Sequence, residues 1–163
     1  MTETATFGAG CFWGVEKFFR KEFGSALAST EVGYAGGDKS SPTYRQVCDG
    51  DTGHAEVVKL EFKKDAVDYA SLVEFFFRIH DASTVDRQGN DVGTQYRSVI
   101  FYHTPEQKKV AEEVKDKVQK EHYPRTPIVT QIVPVGQYWS AEDYHQLYLE
   151  KNPSGYCNHR LRW

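Results

Sequence analysis

The sequence lacks the features of a membrane, nucleic-acid-binding or disulfide-stabilised protein. No apolar run approaches the roughly 18 residues that a membrane span needs, and the N-terminus lacks the basic-then-apolar pattern of a secretion signal. The formal charge is -3, without a basic stripe interleaved with aromatics, so we expect no nucleic-acid partner. The three cysteines form an odd, widely spaced set, which favours reduced or redox-cycling thiols over a disulfide framework. We therefore expect a cytoplasmic location.

Length and composition fit one globular domain. A chain of 163 residues with 39% hydrophobic content can bury a continuous core. We expect a single domain over 1–163, with 152–163 as a mobile tail, and a monomer by default. The apolar patterns favour a mixed β-sheet with helices packed on it. We expect an α/β (α+β) fold, arranged as a two-layer sandwich with a ferredoxin-like core. The predicted strands are 3–9, 27–35, 53–62, 97–102 and 128–135. The predicted helices are 12–24 and 69–80, with two more beginning at 105 and 140.

The segment Gly10-Cys11-Phe12-Trp13-Gly14 lies where the first strand gives way to the first helix. Cys11 is thereby predicted at a helix N-terminus, where free N–H groups and the helix dipole favour a thiolate. A lone cysteine is often a buried, inert core residue. Here the flanking glycines and the adjacent aromatic surface favour a pocket, so we interpret Cys11 as a nucleophile.

Glu56 shares one face of the predicted strand 53–62 with Val58, Leu60 and Phe62. Desolvation on an apolar face would raise the pKa of the carboxyl group and leave an acid able to donate a proton near neutral pH. The alternative is a strand register shifted by one residue, or a nearby cation, either of which would make Glu56 an ordinary carboxylate.

Four further polar residues are candidates. Tyr44 and Tyr96 lie in turn-rich surroundings, and their phenols could donate hydrogen bonds to an oxygen that gains negative charge, although tyrosine is as often simply packed. Asp91, within Gly-Asn-Asp-Val-Gly, is a candidate site residue or a turn-former. His54 lies beside the Glu56 strand and could assist at the site.

The remaining cysteines are predicted to differ in role. Cys157 follows proline and glycine near the chain end, where flexibility would let it reach Cys11 as a resolving thiol; otherwise it is an unpaired exposed thiol. Cys48 lies among residues that look packed and is interpreted as structural. The Cys157-x-His159 pair falls short of zinc-site spacing, so no metal is expected.

Five blocks of the chain together resemble one family. They are Gly10 to Gly14, Ser41 to Cys48, Gly53 to Val57, Gly93 to Ser98 and Tyr144 to Leu149. In this order they resemble the peptide methionine sulfoxide reductase A family over nearly the whole length. The resemblance implies reduction of the S epimer of methionine sulfoxide, free or in oxidatively damaged proteins. It further implies electrons from thioredoxin, a compact fold with a mixed sheet, and no bound cofactor.

Carried onto this sequence, the resemblance also assigns roles. It implies Cys11 as nucleophile, Glu56 as acid, Tyr44 and Tyr96 as oxygen-binding phenols, Phe12 and Trp13 as an aromatic cage for the substrate methyl, and Asp91 as a substrate-binding residue. Reduction would leave Cys11 as a sulfenic acid, which a second thiol can convert to a disulfide. Only one cysteine lies in the tail, so Cys157 is the expected resolving thiol, in a disulfide that thioredoxin reduces directly.

Three other readings use some of the same residues. A thiol peroxidase would also need a thiolate and a resolving cysteine, but a peroxide needs neither a methyl cage nor a strong acid. A cysteine phosphatase would need an arginine where the spacing from Cys11 leads to Lys17. A peptide-binding or redox-sensing module could use the pocket without turnover, but it has no reason to keep an unpaired acid such as Glu56 beside a nucleophile.

Overall fold

A computed structural model describes residues 2–50, 52–157 and 159–163. In chain order its strands and helices are β1 (Thr2–Ala9), α1 (Phe12–Phe23), β2 (Leu27–Ala35), α2 (Tyr44–Cys48), β3 (Ala55–Lys63), α3 (Tyr69–Arg78), β4 (Arg87–Gln88), β5 (Asp91–Val92), β6 (Ser98–Tyr102), α4 (Pro105–His122), β7 (Gln131–Pro134), β8 (Tyr138–Ser140) and α5 (Tyr148–Lys151). The first four predicted strands and the first three predicted helices are present close to their predicted bounds.

The centre of the fold is a ferredoxin-like unit. β1, α1, β2, β3, α3 and β6 follow the strand–helix–strand–strand–helix–strand order, and the sheet order β6-β1-β3-β2 pairs every neighbour antiparallel. In the described part of the chain, β7 extends the sheet parallel to β6, and β8 extends it antiparallel to β2. The predicted mixed sheet is therefore confirmed. Pro134 ends the edge strand β7, where its missing N–H costs no ladder bond.

The two faces of the sheet are covered unequally. One face packs against α1, α3 and α4 in the main core, which includes Phe7 of β1 and Val58, Leu60 and Phe62 of β3. The opposite face carries a smaller cluster that includes Val57. The alternation predicted for strand 53–62 is thus correct, and it places position 56 on the helix-covered face. None of the helices in the described residues is long and apolar enough to cross a membrane.

The helix predicted from residue 140 is wrong. The segment instead forms β8, a 3-10 turn (Asp143–His145) and the single-turn α5. The Gln146 side chain interrupts it, because its amide accepts from Val32 N at 2.9 Å and donates to Val32 O at 2.9 Å. Leu147 then takes a left-handed conformation with φ 55°, so no α-helix continues through it and α5 begins only at the next residue. Tyr144, in the 3-10 turn, is 59% exposed.

The tail after residue 151 contains no helix or strand in its described part, and its end contacts the domain. Arg162 N donates to Arg78 O at 2.8 Å, and the Arg78 guanidinium donates to Trp163 O. The Trp163 ring stacks on His122 with centroids 3.7 Å apart. Mobility of 152–163 stays a prediction, but these contacts give the tail a defined resting position.

Candidate active site

The junction of β1 and α1 buries the Cys11 thiol. Gly10 has φ 93°, and a side chain there would meet Gln88, so only glycine fits the turn. Cys11 follows as the N-cap of α1 and is 6% exposed. The N–H groups of Trp13 and Gly14 lower its pKa, but burial and the charge of Glu56 raise the pKa by more. The predicted resting thiolate is therefore wrong: desolvation outweighs the helix terminus, and Cys11 rests as a thiol.

Glu56 lies beside this thiol and is 1% exposed. Its Oε1 accepts from Phe12 N at 3.2 Å, and its Oε2 is buried without a hydrogen-bond partner among the described residues. Burial, with a smaller effect from the charge of Asp91, raises the pKa of Glu56 to about 8. The predicted buried acid is present: at neutral pH the carboxyl is mostly protonated and holds a proton next to the nucleophile.

Two tyrosines reach the same place from separate turns. Tyr44 begins α2, where a capping box of Thr43 and Gln46 and a 2.9 Å bond from Tyr44 N to the Glu142 carboxylate fix its backbone. Tyr96 ends a 3-10 turn (Thr94–Tyr96). Burial and the charge of Glu56 raise the pKa of both phenols, so both are O–H donors throughout the physiological range.

Cys48 is a neighbour of this pair of phenols. It is half-buried and unpaired, and its sulfur is hydrogen-bonded by both the Tyr44 and Tyr96 side chains. Burial raises the pKa of the Cys48 thiol, which keeps it protonated. The structural role of Cys48 stays a prediction.

An aromatic wall stands next to Cys11. The Trp13 ring stacks on Tyr148 with centroids 3.9 Å apart, and its Nε1 donates to His145 Nδ1 at 2.9 Å. The His145 ring in turn contacts Tyr44 at 4.3 Å. Phe12 is fully buried behind this group, 5.3 Å from the His145 ring. Trp13 thus forms part of this wall and Phe12 lies behind it, and their role as a methyl cage stays a prediction.

His145 and Tyr148 were not predicted as site residues. They lie in the last of the five sequence blocks. A helix was expected there, and its geometry did not predict that both side chains turn toward Trp13. Their histidine and tyrosine identities, inside a block that the resemblance had already marked, were the available signal.

Asp91 acts on the site mainly through its charge. It lies in the two-residue strand β5, and its carboxylate raises the pKa of Cys11, Glu56 and Tyr96. The Tyr156 hydroxyl hydrogen-bonds Asp91, a contact between tail and site that the sequence did not suggest.

His54 was expected to assist at the site, but its imidazole bonds the backbone of a neighbouring loop instead. Its Nδ1 accepts from Gly37 N at 3.0 Å and its Nε2 donates to Lys39 O at 2.7 Å, which uses both ring nitrogens. His54 therefore holds the loop that leads into Tyr44, and both of its ring nitrogens are engaged there and not at the site.

Cys157 approaches the helix that starts at Cys11. It is half-buried and unpaired, and a β-carbon at Gly14 would lie 2.9 Å from its sulfur. The tail sulfur therefore rests against the first turn of α1, on which Cys11 is the N-cap. Within the residues that the structure describes, no cluster of three or more His, Cys, Asp or Glu could hold a metal ion.

Comparisons with known proteins agree with this geometry. A family model described as "Peptide methionine sulfoxide reductase" matches residues 3–163. "Peptide methionine sulfoxide reductase MsrA" of Methanothermobacter thermautotrophicus is 55% identical, covering 95% of this chain and 90% of the relative. Mxr1 from Saccharomyces cerevisiae in reduced form has a TM-score of 0.94 at 39% identity, over 99% of this chain and 93% of that one. In complex with Trx2, Mxr1 has a TM-score of 0.69 at 25% identity, over 99% of this chain and 91% of that one.

Proposed function

Because the chain belongs to the peptide methionine sulfoxide reductase A family and reduces methionine sulfoxide, we propose that Cys11 attacks the sulfoxide sulfur while Glu56 protonates its oxygen. The observation that carries this assignment is the neutral, buried Glu56 carboxyl, which accepts from the N–H of the residue next to Cys11. A sulfoxide sulfur becomes electrophilic only when its oxygen is protonated or hydrogen-bonded. The Glu56 proton and the phenols of Tyr44 and Tyr96 supply that activation.

The proton balance explains why a resting thiol is no obstacle. Glu56 gives its proton to the sulfoxide oxygen and the resulting carboxylate takes the proton of the Cys11 thiol, so the S–H adds across the S=O bond. The N–H groups of Trp13 and Gly14 stabilise the sulfur as it loses its proton. Collapse of the adduct releases methionine and leaves Cys11 as a sulfenic acid. Glu56 ends protonated, as it began.

Selectivity for the S epimer follows because one side of the site is aromatic and the other side carries hydrogen-bond donors. We assign the substrate methyl to the Trp13 side, where the indole is held by Tyr148 and His145, and the oxygen to the side of Glu56 and the two phenols. A sulfoxide sulfur carries a methyl, an oxygen and the rest of the side chain. Exchanging two of them would place the oxygen against an aromatic face with no donor.

The second half of the cycle is assigned to the tail. Cys157 condenses with the sulfenic acid to give a Cys11–Cys157 disulfide and water. Thioredoxin then reduces this disulfide, an assignment supported by the likeness to Mxr1 in complex with Trx2. All three cysteines are unpaired, in keeping with the reduced cytoplasm proposed as the location.

Methionine released by reduced enzyme, with no added reductant, tests both halves. The S sulfoxide should yield about one equivalent, with mass mapping of a Cys11–Cys157 bond, and the R sulfoxide none. Cys157→Ser is the matched control, because it should release the same amount and form no disulfide. Equal yields from both epimers would refute the assigned walls, and no methionine from either would refute Cys11 as the nucleophile.

A further inference from the structure

Two side-chain atoms of the tail, one from Cys157 and one from His159, lie close to the same backbone position on α1. A β-carbon at Gly14 would lie 2.2 Å from His159 Nδ1 and 2.9 Å from Cys157 Sγ. The nitrogen and the sulfur therefore flank the same backbone position, no further apart than the sum of those two distances. This places an imidazole beside the thiol that the proposed function assigns to disulfide formation.

The His159 ring has a defined orientation and a free lone pair. Its Nε2 lies 2.6 Å from Ala9 O, and because a carbonyl only accepts, Nε2 carries the proton. Nδ1 is then the unprotonated nitrogen. The residue is 8% exposed, and Nδ1 is buried without a hydrogen-bond partner among the described residues. A buried acceptor without a hydrogen bond costs free energy, and a chemical role for Nδ1 would explain why this cost is tolerated.

The ring is neutral in this setting. Burial lowers the pKa of His159 to about 4, with a smaller contribution from the positive charge of Arg162. The ionisable groups near it are Cys157, Arg162 and the buried His80, whose imidazole is itself neutral because burial lowers its pKa to about 3. An imidazolium at His159 would therefore be stabilised only beside an anion, and a Cys157 thiolate is such an anion.

The tail is fixed on both sides of this pair. Before it, the Tyr156 hydroxyl hydrogen-bonds Asp91. After it, Arg162 N bonds Arg78 O, and Trp163 lies on His122. The pair is thereby presented to the N-terminal turn of α1 with little freedom left to lose.

We propose that His159 Nδ1 is the general base that removes the Cys157 thiol proton as Cys157 attacks the Cys11 sulfenic acid. The S–S bond forms, the Cys11 S–O bond breaks, and the leaving hydroxide takes the proton back from the His159 imidazolium as water. Cys157 is oxidised to the disulfide and the sulfenic sulfur is reduced to it, so no further reactant is needed. This role rests on the proposed function of Cys157.

The test separates the base from a purely structural anchor. Glutamine at 159 can keep the N–H donor to Ala9 O but offers no base, whereas alanine removes both. In single-turnover reactions with the S sulfoxide, methionine release and disulfide formation are followed separately, and a cyclic 1,3-dione traps any sulfenic acid that persists. Trp163→Ala is the matched control, because it loosens the tail and leaves His159 in place.

For His159→Gln we expect an unchanged methionine burst, which also shows that the variant is folded. Disulfide formation should be slower by roughly 100-fold, with trapped sulfenic acid in the interval. Its rate should rise with pH, because hydroxide must replace the base, while Trp163→Ala slows the step by the same factor at every pH. Wild-type disulfide kinetics in His159→Gln would overturn the proposal. A wild type without the Cys11–Cys157 bond would instead overturn the assignment of Cys157.

Discussion

Replacing Glu56 by glutamine should make the protein more stable and nearly inactive. Folding raises the Glu56 pKa from its ordinary 4.5 to about 8, so between these values the native state binds more protons than the unfolded chain. Stability therefore falls as pH rises through this window and levels off above it. At about 1.36 kcal/mol per pH unit, the buried carboxyl costs about 3 kcal/mol at neutral pH and about 5 kcal/mol above pH 8.

Glutamine removes this cost because it cannot ionise, and its amide oxygen can still accept from Phe12 N. Urea unfolding of wild type and Glu56→Gln at about pH 5 and about pH 8 measures the difference directly. We expect the two proteins to converge at the lower pH and the variant to gain several kcal/mol at the higher. An exposed carboxylate, Glu112→Gln, is the control and should change neither value by more than about 0.5 kcal/mol.

The catalytic half of this prediction uses the same protein. Loss of the acid should slow methionine formation by roughly 10²–10⁴-fold, and the wild-type rate should fall above about pH 8 as Glu56 ionises. A stability that is flat between the two pH values in wild type would refute the burial argument. A Glu56→Gln enzyme that releases methionine at the wild-type rate would refute the acid role.

Three further predictions concern neighbouring residues. Gly10→Ala should destabilise the protein by about 1–3 kcal/mol in denaturant titrations, because a side chain at φ 93° is strained and meets Gln88; unchanged stability would contradict that geometry. Trp13→Phe should raise KM more than it lowers kcat in steady-state assays, because it frees His145 from its 2.9 Å bond and loosens the methyl wall; a change in kcat alone would argue against that wall. Tyr44→Phe combined with Tyr96→Phe should slow the methionine burst by roughly 10²-fold or more, and a full-rate burst would leave Glu56 as the sole oxygen donor.

The sequence predicts what local patterns control. Alternation along β3 was enough to place position 56 on the covered face, and a strand running into a helix was enough to place Cys11 at the N-cap. In each case the residues that decide the outcome lie within one strand or one helical turn of the residue concerned.

What the sequence missed depends on contacts between distant segments. The pKa of Cys11 is set mainly by how deeply the domain buries it, and an argument from the helix terminus alone does not include burial. His54 is kept from the site by the backbone of residues 37–39. His145 faces Trp13 in a segment that Gln146 bonds to a strand more than a hundred residues earlier, and no short-range pattern records that contact.

The Gln146 bonds also cover part of the edge of β2. At Val32 the Gln146 amide accepts from the N–H and, together with the backbone N–H of Ala141, donates to the C=O, while β8 covers residues 33–35 beside it. An unpaired strand edge is a template on which further chains can add and aggregate. With Gln146 in place, this edge offers them nothing to pair with at Val32.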